Sequence, residues 1–217
     1  MITAVIFDHD GTLVDSEQLH YVLWQRVLKP LGLQLEVQDY QAHYAGIPAL
    51  ENAQRLVQHF DLSISPSALA EQKARLSQRF LQQHPFPLLP GVAKTLAAFQ
   101  QAGIRMAIAT GANQYAVDAT CRFHRLSHFF EAIVSRDDVQ HGKPHPQTYQ
   151  LALSRLRLSA ADCLAVEDTV HGMKAALAAK LPCVVVPSPM SKAQDFTGAA
   201  ASFSSMAAVK KWVLAQQ

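Results

Sequence analysis

Apolar residues fall along this chain in two recurring patterns, and their order predicts an alternating α/β architecture. Short runs, apolar at nearly every position, occur at residues 4–7, 104–109, 132–134, 163–166 and 183–186. Runs of this kind belong to strands covered on both faces. Helical spacing governs residues 92–102, 115–123, 146–156, 172–179 and 207–214. Strand–helix alternation predicts a parallel sheet with helices on both faces, a fold that binds ligands at the carboxyl ends of its strands.

One stretch breaks the alternation. Between residues 16 and 84 no strand-like run occurs. Ser16 reads as a helix cap, with Glu17 and Gln18 in the first turn. Leu19, Val22, Leu23, Val27 and Leu31 follow at helical spacing, and Pro30 and Gly32 close that helix. Residues 49–60 and 67–84 are amphipathic, with breaks at Gly46-Ile47-Pro48 and Ser63-Ile64-Ser65-Pro66. The Pro-rich crossing His84-Pro85-Phe86-Pro87-Leu88-Leu89-Pro90-Gly91 then returns the chain to the alternating pattern. The expected organisation is a core of residues 1–15 and 86–217 with an inserted all-helical unit, residues 16–85, and hinges near 14–16 and 86–90.

Composition narrows the class. With 217 residues, 49% hydrophobic and 17% charged, the chain can bury one large core plus a small lid. A net charge of +2, with basic residues scattered, predicts no nucleic-acid partner. Cys121, Cys163 and Cys183 are odd in number and form no CxxC pair, against a disulfide framework or a structural zinc site. They read as small buried hydrophobes. No run approaches the roughly 20 apolar residues of a membrane span, and the start of the chain lacks the pattern of a signal peptide. The expectation is a soluble protein of a reducing cytoplasm with no membrane partner.

The strand ends carry the candidate chemistry. The first runs into Asp8-His9-Asp10-Gly11-Thr12, the second into Thr110-Gly111-Ala112, the third into a loop holding Gly142-Lys143-Pro144, and the fourth into Glu167-Asp168. In an extended chain residues i and i+2 share a side, so Asp8 and Asp10 can face one site, and Gly11 lets the chain turn there. Asp8, Asp10, Glu167 and Asp168 would crowd up to four carboxylates together, which cannot all stay ionised without a cation. Magnesium suits such an all-oxygen set, and Lys143 adds a second positive centre. Thr110 and the N–H groups opening the next helix can hold phosphate oxygens. A phosphate group fits this arrangement better than an uncharged substrate.

These segments resemble, in order, the four motifs of the haloacid dehalogenase superfamily. Asp8-His9-Asp10-Gly11-Thr12-Leu13-Val14-Asp15-Ser16-Glu17 is similar to the first, Thr110 to the second, Gly142-Lys143-Pro144 to the third, and Glu167-Asp168-Thr169-Val170-His171-Gly172 to the fourth. The helical insert after the first motif resembles the cap of the β-phosphoglucomutase-like branch. The resemblance implies a Rossmann-like parallel core under a helical cap, and magnesium-dependent hydrolysis of a small phosphorylated metabolite, sugar phosphates foremost, by a monomer. Asp8 would be the nucleophile, forming an aspartyl-phosphate, and Asp10 the acid and then the base. Magnesium would be held by the Asp8 side chain, the Asp10 carbonyl and Asp168, with Glu167 acting through a water. Lys143 would neutralise charge and Thr110 would bond a phosphoryl oxygen. Gly11, Thr12, Gly111 and Ala112 would shape the phosphate side of the substrate site, and His20 and Gly46 would approach from the cap.

Other residues carry weaker expectations. Substrate choice would come from His20, residues 43–47 and Gln54. Asp15 and Glu17 are expected to bond structurally at the hinge, and Glu167 and Asp168 can also cap the helix that follows. His141, His145 and His171 are expected as partly exposed loop residues. The departures from the family also inform. Ala45 and Ala49 flank Gly46 where the mutase sub-type carries a lysine and an arginine, which favours hydrolysis over a phosphomutase reaction. A non-catalytic phosphate-binding role is disfavoured because every catalytic position is filled. Gln147 stands where the family usually has Asp, and Lys180 where it usually has Gly. The second acid, Asp10, argues against dehalogenase activity.

Overall fold

The computed structural model describes residues 1–217. Its centre is strand β1 (Ala4–Phe7), flanked by β2 (Arg105–Ala109) and β4 (Cys163–Glu167). With β3 (Ala132–Val134), β5 (Cys183–Val185) and the short β6 (Ala201–Ser202) they form one sheet of order β3-β2-β1-β4-β5-β6. Every pairing is parallel.

Strand alternation sorts the core into two layers. Val5, Phe7, Met106, Ile108, Leu164 and Val166 pack on one face with helices α5 (Val92–Gln101), α6 (Gln114–Phe123) and α9 (Met206–Leu214). Ala4, Ile6, Ala107, Ala109 and Ala165 face the other side, against α7 (Gln147–Leu156) and α8 (Val170–Ala178). The small residues on that second face let its two helices sit close to the strands. The fold is the expected Rossmann-like α/β class.

The insert builds its own apolar centre from α1 (Glu17–Leu28), α2 (Val37–His43), α3 (Ala49–His59) and α4 (Pro66–Gln83). Trp24, Leu28, Tyr40, Leu56 and Leu69 are buried there together. The two crossings to the insert lie side by side. Val14 and Leu88 form an antiparallel bridge, the Asp15 N–H donates to the Pro87 carbonyl (2.9 Å), and the Leu89 N–H donates to the Leu13 carbonyl (3.0 Å).

Several local expectations need correction. Ser16 has helical rather than extended backbone angles, so its hydroxyl cannot reach back to the first turn, and it caps nothing; it is buried without a hydrogen-bond partner. Helix α1 ends at Leu28, and Pro30 sits in a following 3₁₀ turn closed by Gly32 at φ 73°. Helix α8 begins at Val170, which puts His171 on a helix rather than in a loop. Its cap is Thr169, whose hydroxyl accepts from the Gly172 N–H (3.2 Å), so neither Glu167 nor Asp168 is occupied by capping. Lys180 does adopt the left-handed backbone, at φ 61°. All three cysteines are unpaired and buried. No helix is long and apolar enough to cross a membrane.

Candidate active site

The sheet reverses its winding between β1 and β4, and crevices at such switch points take ligands. Register brings the acids together there. Phe7 pairs with Val166, so Asp8 leaves β1 beside Glu167, the last residue of β4. The Asp8 N–H continues the ladder to the Val166 carbonyl (3.0 Å). Carboxylate oxygens of Asp8, Glu167 and Asp168 all lie within 4.8 Å of one another, and all three residues are buried.

Lys143 crosses from its loop to bind two of them. Its ammonium donates to Asp8 Oδ1 (2.7 Å) and to Glu167 Oε1 (2.5 Å). The Tyr149 hydroxyl on α7 also donates to Glu167 Oε1 (2.6 Å). Burial opposes the charge on Lys143, but the Asp8 and Glu167 carboxylates outweigh it and raise its pKa above the ordinary lysine range. One ammonium cannot neutralise three acids. Burial, with Asp8 adding to it, pushes the Glu167 carboxyl up to about 7 despite Lys143 and Tyr149. Burial, then Asp8 and Glu167, raise Asp168 well above the usual carboxylate range.

Asp168 is the group left open. Its Oδ1 is buried without a hydrogen-bond partner. Gly11, at φ 75°, packs so close that a Cβ there would lie 2.0 Å from Asp168 Oδ2. A buried all-oxygen cluster with an unmet acceptor and a charge deficit fits a hard divalent cation.

Asp10 stands apart from this cluster. Strand geometry ends at Phe7, so the i, i+2 alternation that would have aimed Asp10 with Asp8 no longer holds. Its carboxylate meets two histidines instead: His9 Nδ1 at 3.2 Å on Oδ1, and His20 Nε2 at 3.7 Å on Oδ2. Burial tends to raise its pKa, but His20 and His9 beside it prevail and hold it well below the usual carboxylate range. His20 reaches the site from α1, and its Nδ1 lies 3.1 Å from the Lys73 ammonium on α4. A lysine ammonium can only donate, so Lys73 puts the His20 proton on Nε2, facing Asp10. Lys73, Tyr149 and His9 are partners that sequence reasoning did not single out. His9 did carry a signal, a polar residue set between the two acids of the first motif.

The remaining expected positions surround this centre. Thr110 follows β2, is buried, and its hydroxyl accepts from the Ala112 N–H (3.0 Å). Nothing lies within 4 Å of a Cβ built on Gly111, so space is open there. The Thr12 hydroxyl is buried without a partner. Gly46, at φ 71°, touches the core: a Cβ there would lie 2.5 Å from Thr169 Cγ2. Its N–H points at Glu17 Oε1 (3.4 Å), which also accepts from the Tyr40 hydroxyl (2.5 Å), so Glu17 ties α1 to α2 and the Gly46 turn. Asp15 is exposed and donates only its backbone N–H to the second crossing. Gln54 is exposed on α3, and the Gln147 side chain accepts from the His141 N–H (2.8 Å).

A Rossmann-like sheet here gathers a buried aspartate, a bridging lysine and a buried acidic pair at its switch point. Residues 2–180 match the haloacid dehalogenase-like hydrolases, and the chain belongs to that family. It is 31% identical over 207 residues to protein CbbY of Cereibacter sphaeroides, covering 92% of this chain and 90% of that one. It is 33% identical to the fructose-1-phosphate phosphatase YqaB of Escherichia coli, over 84% of this chain and 95% of the relative. The crystal structure of a CbbY variant from Rhodobacter sphaeroides with xylulose-(1,5)bisphosphate superposes with a TM-score of 0.84 at 29% identity, covering 95% of this chain and 96% of the other. A β-phosphoglucomutase from Clostridium difficile, 21% identical with a TM-score of 0.83 over 100% of this chain and 96% of the other, shares the fold.

Proposed function

We propose that this chain is a magnesium-dependent phosphatase that hydrolyses a small sugar phosphate through an aspartyl-phosphate on Asp8. The observation that carries the reading is the Lys143 bridge between Asp8 Oδ1 and Glu167, beside a buried Asp168 with an unmet acceptor. Lys143 occupies Oδ1 and leaves Asp8 Oδ2 as the attacking oxygen. That oxygen forms a bond to phosphorus as the bond to the sugar oxygen breaks; the negative charge of the bound phosphate raises the Asp10 pKa from its lowered value in the free protein, so Asp10 takes up a proton and delivers it to the departing oxygen. Asp10 then takes a proton from water, which attacks phosphorus and releases inorganic phosphate from Asp8. Thr110, with the Gly111 N–H, holds phosphoryl oxygens. Asp8, the Asp10 carbonyl and Asp168 would hold magnesium, with Glu167 acting through a water, and the ion would offset charge on the phosphoryl group.

The inserted helices act as a cap, hinged where residues 13–15 pair with 87–89, that closes over substrate and excludes water. A monophosphate is the better fit. Ala45 is buried in the cap's own core, and Arg55, the cation nearby, is spent on the His43 carbonyl (2.8 Å) and Glu51 (2.7 Å). No free cation is therefore presented there to a second phosphate. The substrate class rests on the relatives, among them fructose-1-phosphate and hexitol phosphatases.

The test is phosphate release from fructose 1-phosphate, hexitol phosphates, other hexose and pentose phosphates and p-nitrophenyl phosphate, with magnesium and with EDTA. Magnesium-dependent release from one or a few sugar phosphates is the expected result. Conversion of β-glucose 1-phosphate, given glucose 1,6-bisphosphate, to glucose 6-phosphate with no release anywhere would overturn it in favour of a mutase. No turnover at all would overturn the catalytic reading.

A further inference from the structure

His9 sits between the two acids of the first motif, and its ring is fully buried. Its contact with Thr120 places it on the side of the sheet covered by α6, the layer that also holds Val5 and Phe7. An apolar residue would suit that layer, because a buried imidazole must have both nitrogens satisfied. Here both are. Nε2 lies 2.9 Å from the Thr120 hydroxyl on α6, and Nδ1 lies 3.2 Å from Asp10 Oδ1.

The chemistry of the partners orders this chain. A carboxylate only accepts, so Nδ1 carries the proton and donates to Asp10. Nε2 then accepts, and the Thr120 hydroxyl donates to it. Phe86 of the second crossing lies edge-on to both histidines, its centroid 6.3 Å from His9 and 5.8 Å from His20. It packs against both the core histidine on Oδ1 and the cap histidine near Oδ2.

We propose that His9, oriented by Thr120, is a positioning residue that fixes the Asp10 carboxylate from the core side and reserves Oδ2 for proton transfer. This inference rests on the phosphatase reading above. Because its donors all lie in the core, the hold does not depend on the cap, whereas contact with His20 does. Asp10 is therefore aimed before substrate arrives, and Oδ2 stays free because His20 Nε2, 3.7 Å away, is beyond hydrogen-bond reach.

The leaving group separates this role from a packing role. Kcat/KM reports the steps through departure of the leaving group. A sugar alkoxide needs the proton Asp10 supplies; p-nitrophenolate leaves without one. Both substrates share the same nucleophile, lysine and fold. His9→Ala is expected to lower kcat/KM for the best sugar phosphate of the panel by about tenfold to a hundredfold, with p-nitrophenyl phosphate little changed. His9→Asn, which keeps a donor near the Nδ1 position, is expected to recover most of the loss. Thr120→Val, which removes the donor to Nε2 while keeping the shape, gives the same selective pattern at smaller size and serves should His9→Ala fail to fold. Unchanged sugar-phosphate kinetics in His9→Ala and Thr120→Val would overturn the proposal. So would equal losses on both substrates without recovery in His9→Asn. An inactive wild-type enzyme would instead be a failure of the phosphatase reading.

Discussion

Gly172 offers a way to disturb Glu167 without altering its chemistry. The residue lies in the first turn of α8 with helical backbone, so alanine brings no strain of its own. A Cβ there would stand 2.0 Å from the Glu167 carboxyl carbon and Oε2 and 2.1 Å from Oε1. Ordinary contact begins near 3.4 Å, so the carboxylate must retreat by about 1.4 Å. Such a retreat takes Glu167 out of reach of Lys143 (now 2.5 Å) and Tyr149 (now 2.6 Å). Hydrogen bonds to charged groups contribute about 1.5–3 kcal/mol each, and alanine returns about 1 kcal/mol of helix propensity. Gly172→Ala is expected to cost about 2–5 kcal/mol, a fall in Tm of about 4–20 °C for a chain of this size. Urea and thermal unfolding in EDTA measure it. The control is the pair with Glu167→Ala: once the carboxylate is gone the methyl has room, and the Gly172→Ala cost should shrink to within about 1 kcal/mol of zero. A Gly172→Ala protein with wild-type Tm and turnover would refute the packing of Glu167 described here.

Three more outcomes follow from the same site. Lys143→Met leaves Asp8, Glu167 and Asp168 without their counter-ion and should cost about 3–5 kcal/mol in EDTA at neutral pH; urea unfolding checks it, and turnover should fall at least about a hundredfold. The metal-free protein should lose stability as pH rises. Glu167 moves from an ordinary 4.5 to about 7 on folding, so its contribution is full below 4.5 and is lost as pH climbs through 7; the span is about 3 kcal/mol, Asp168 acts in the same direction, and added magnesium should flatten the curve. Lys73→Met should separate function from stability. Burial lowers the Lys73 pKa, so removing that charge should leave Tm unchanged or higher, while kcat falls about tenfold as His20 loses the donor that fixes its proton.

Much of this was legible in the sequence, for identifiable reasons. Strands covered on both faces read as apolar runs, and parallel winding sends each strand end to one edge, so Asp8, Lys143, Glu167 and Asp168 could be grouped before any contact was known. Pairings set by packing between distant segments could not be read. Lys73 is one polar residue on an amphipathic helix, and only the approach of α4 to α1 buries it against His20. Nothing in the sequence singles out Tyr149, whose hydroxyl reaches Glu167 at the end of β4 from α7, a helix packed on β2 and β3. Asp10 escaped the strand rule because β1 stops at Phe7. Ser16 failed as a cap because side-chain chemistry does not fix the backbone angles a cap needs. The two residues of β6 are too few to carry a pattern.

The central claim is that Asp8 becomes phosphorylated, and the most direct measurement is acid quenching during turnover followed by mass spectrometry of the peptide that contains it. The account predicts one added phosphoryl group on Asp8, sensitive to hydroxylamine, and neither adduct nor turnover in a folded Asp8→Asn protein. Turnover that persists in Asp8→Asn, or wild-type turnover with the phosphoryl group trapped on another residue, would contradict it.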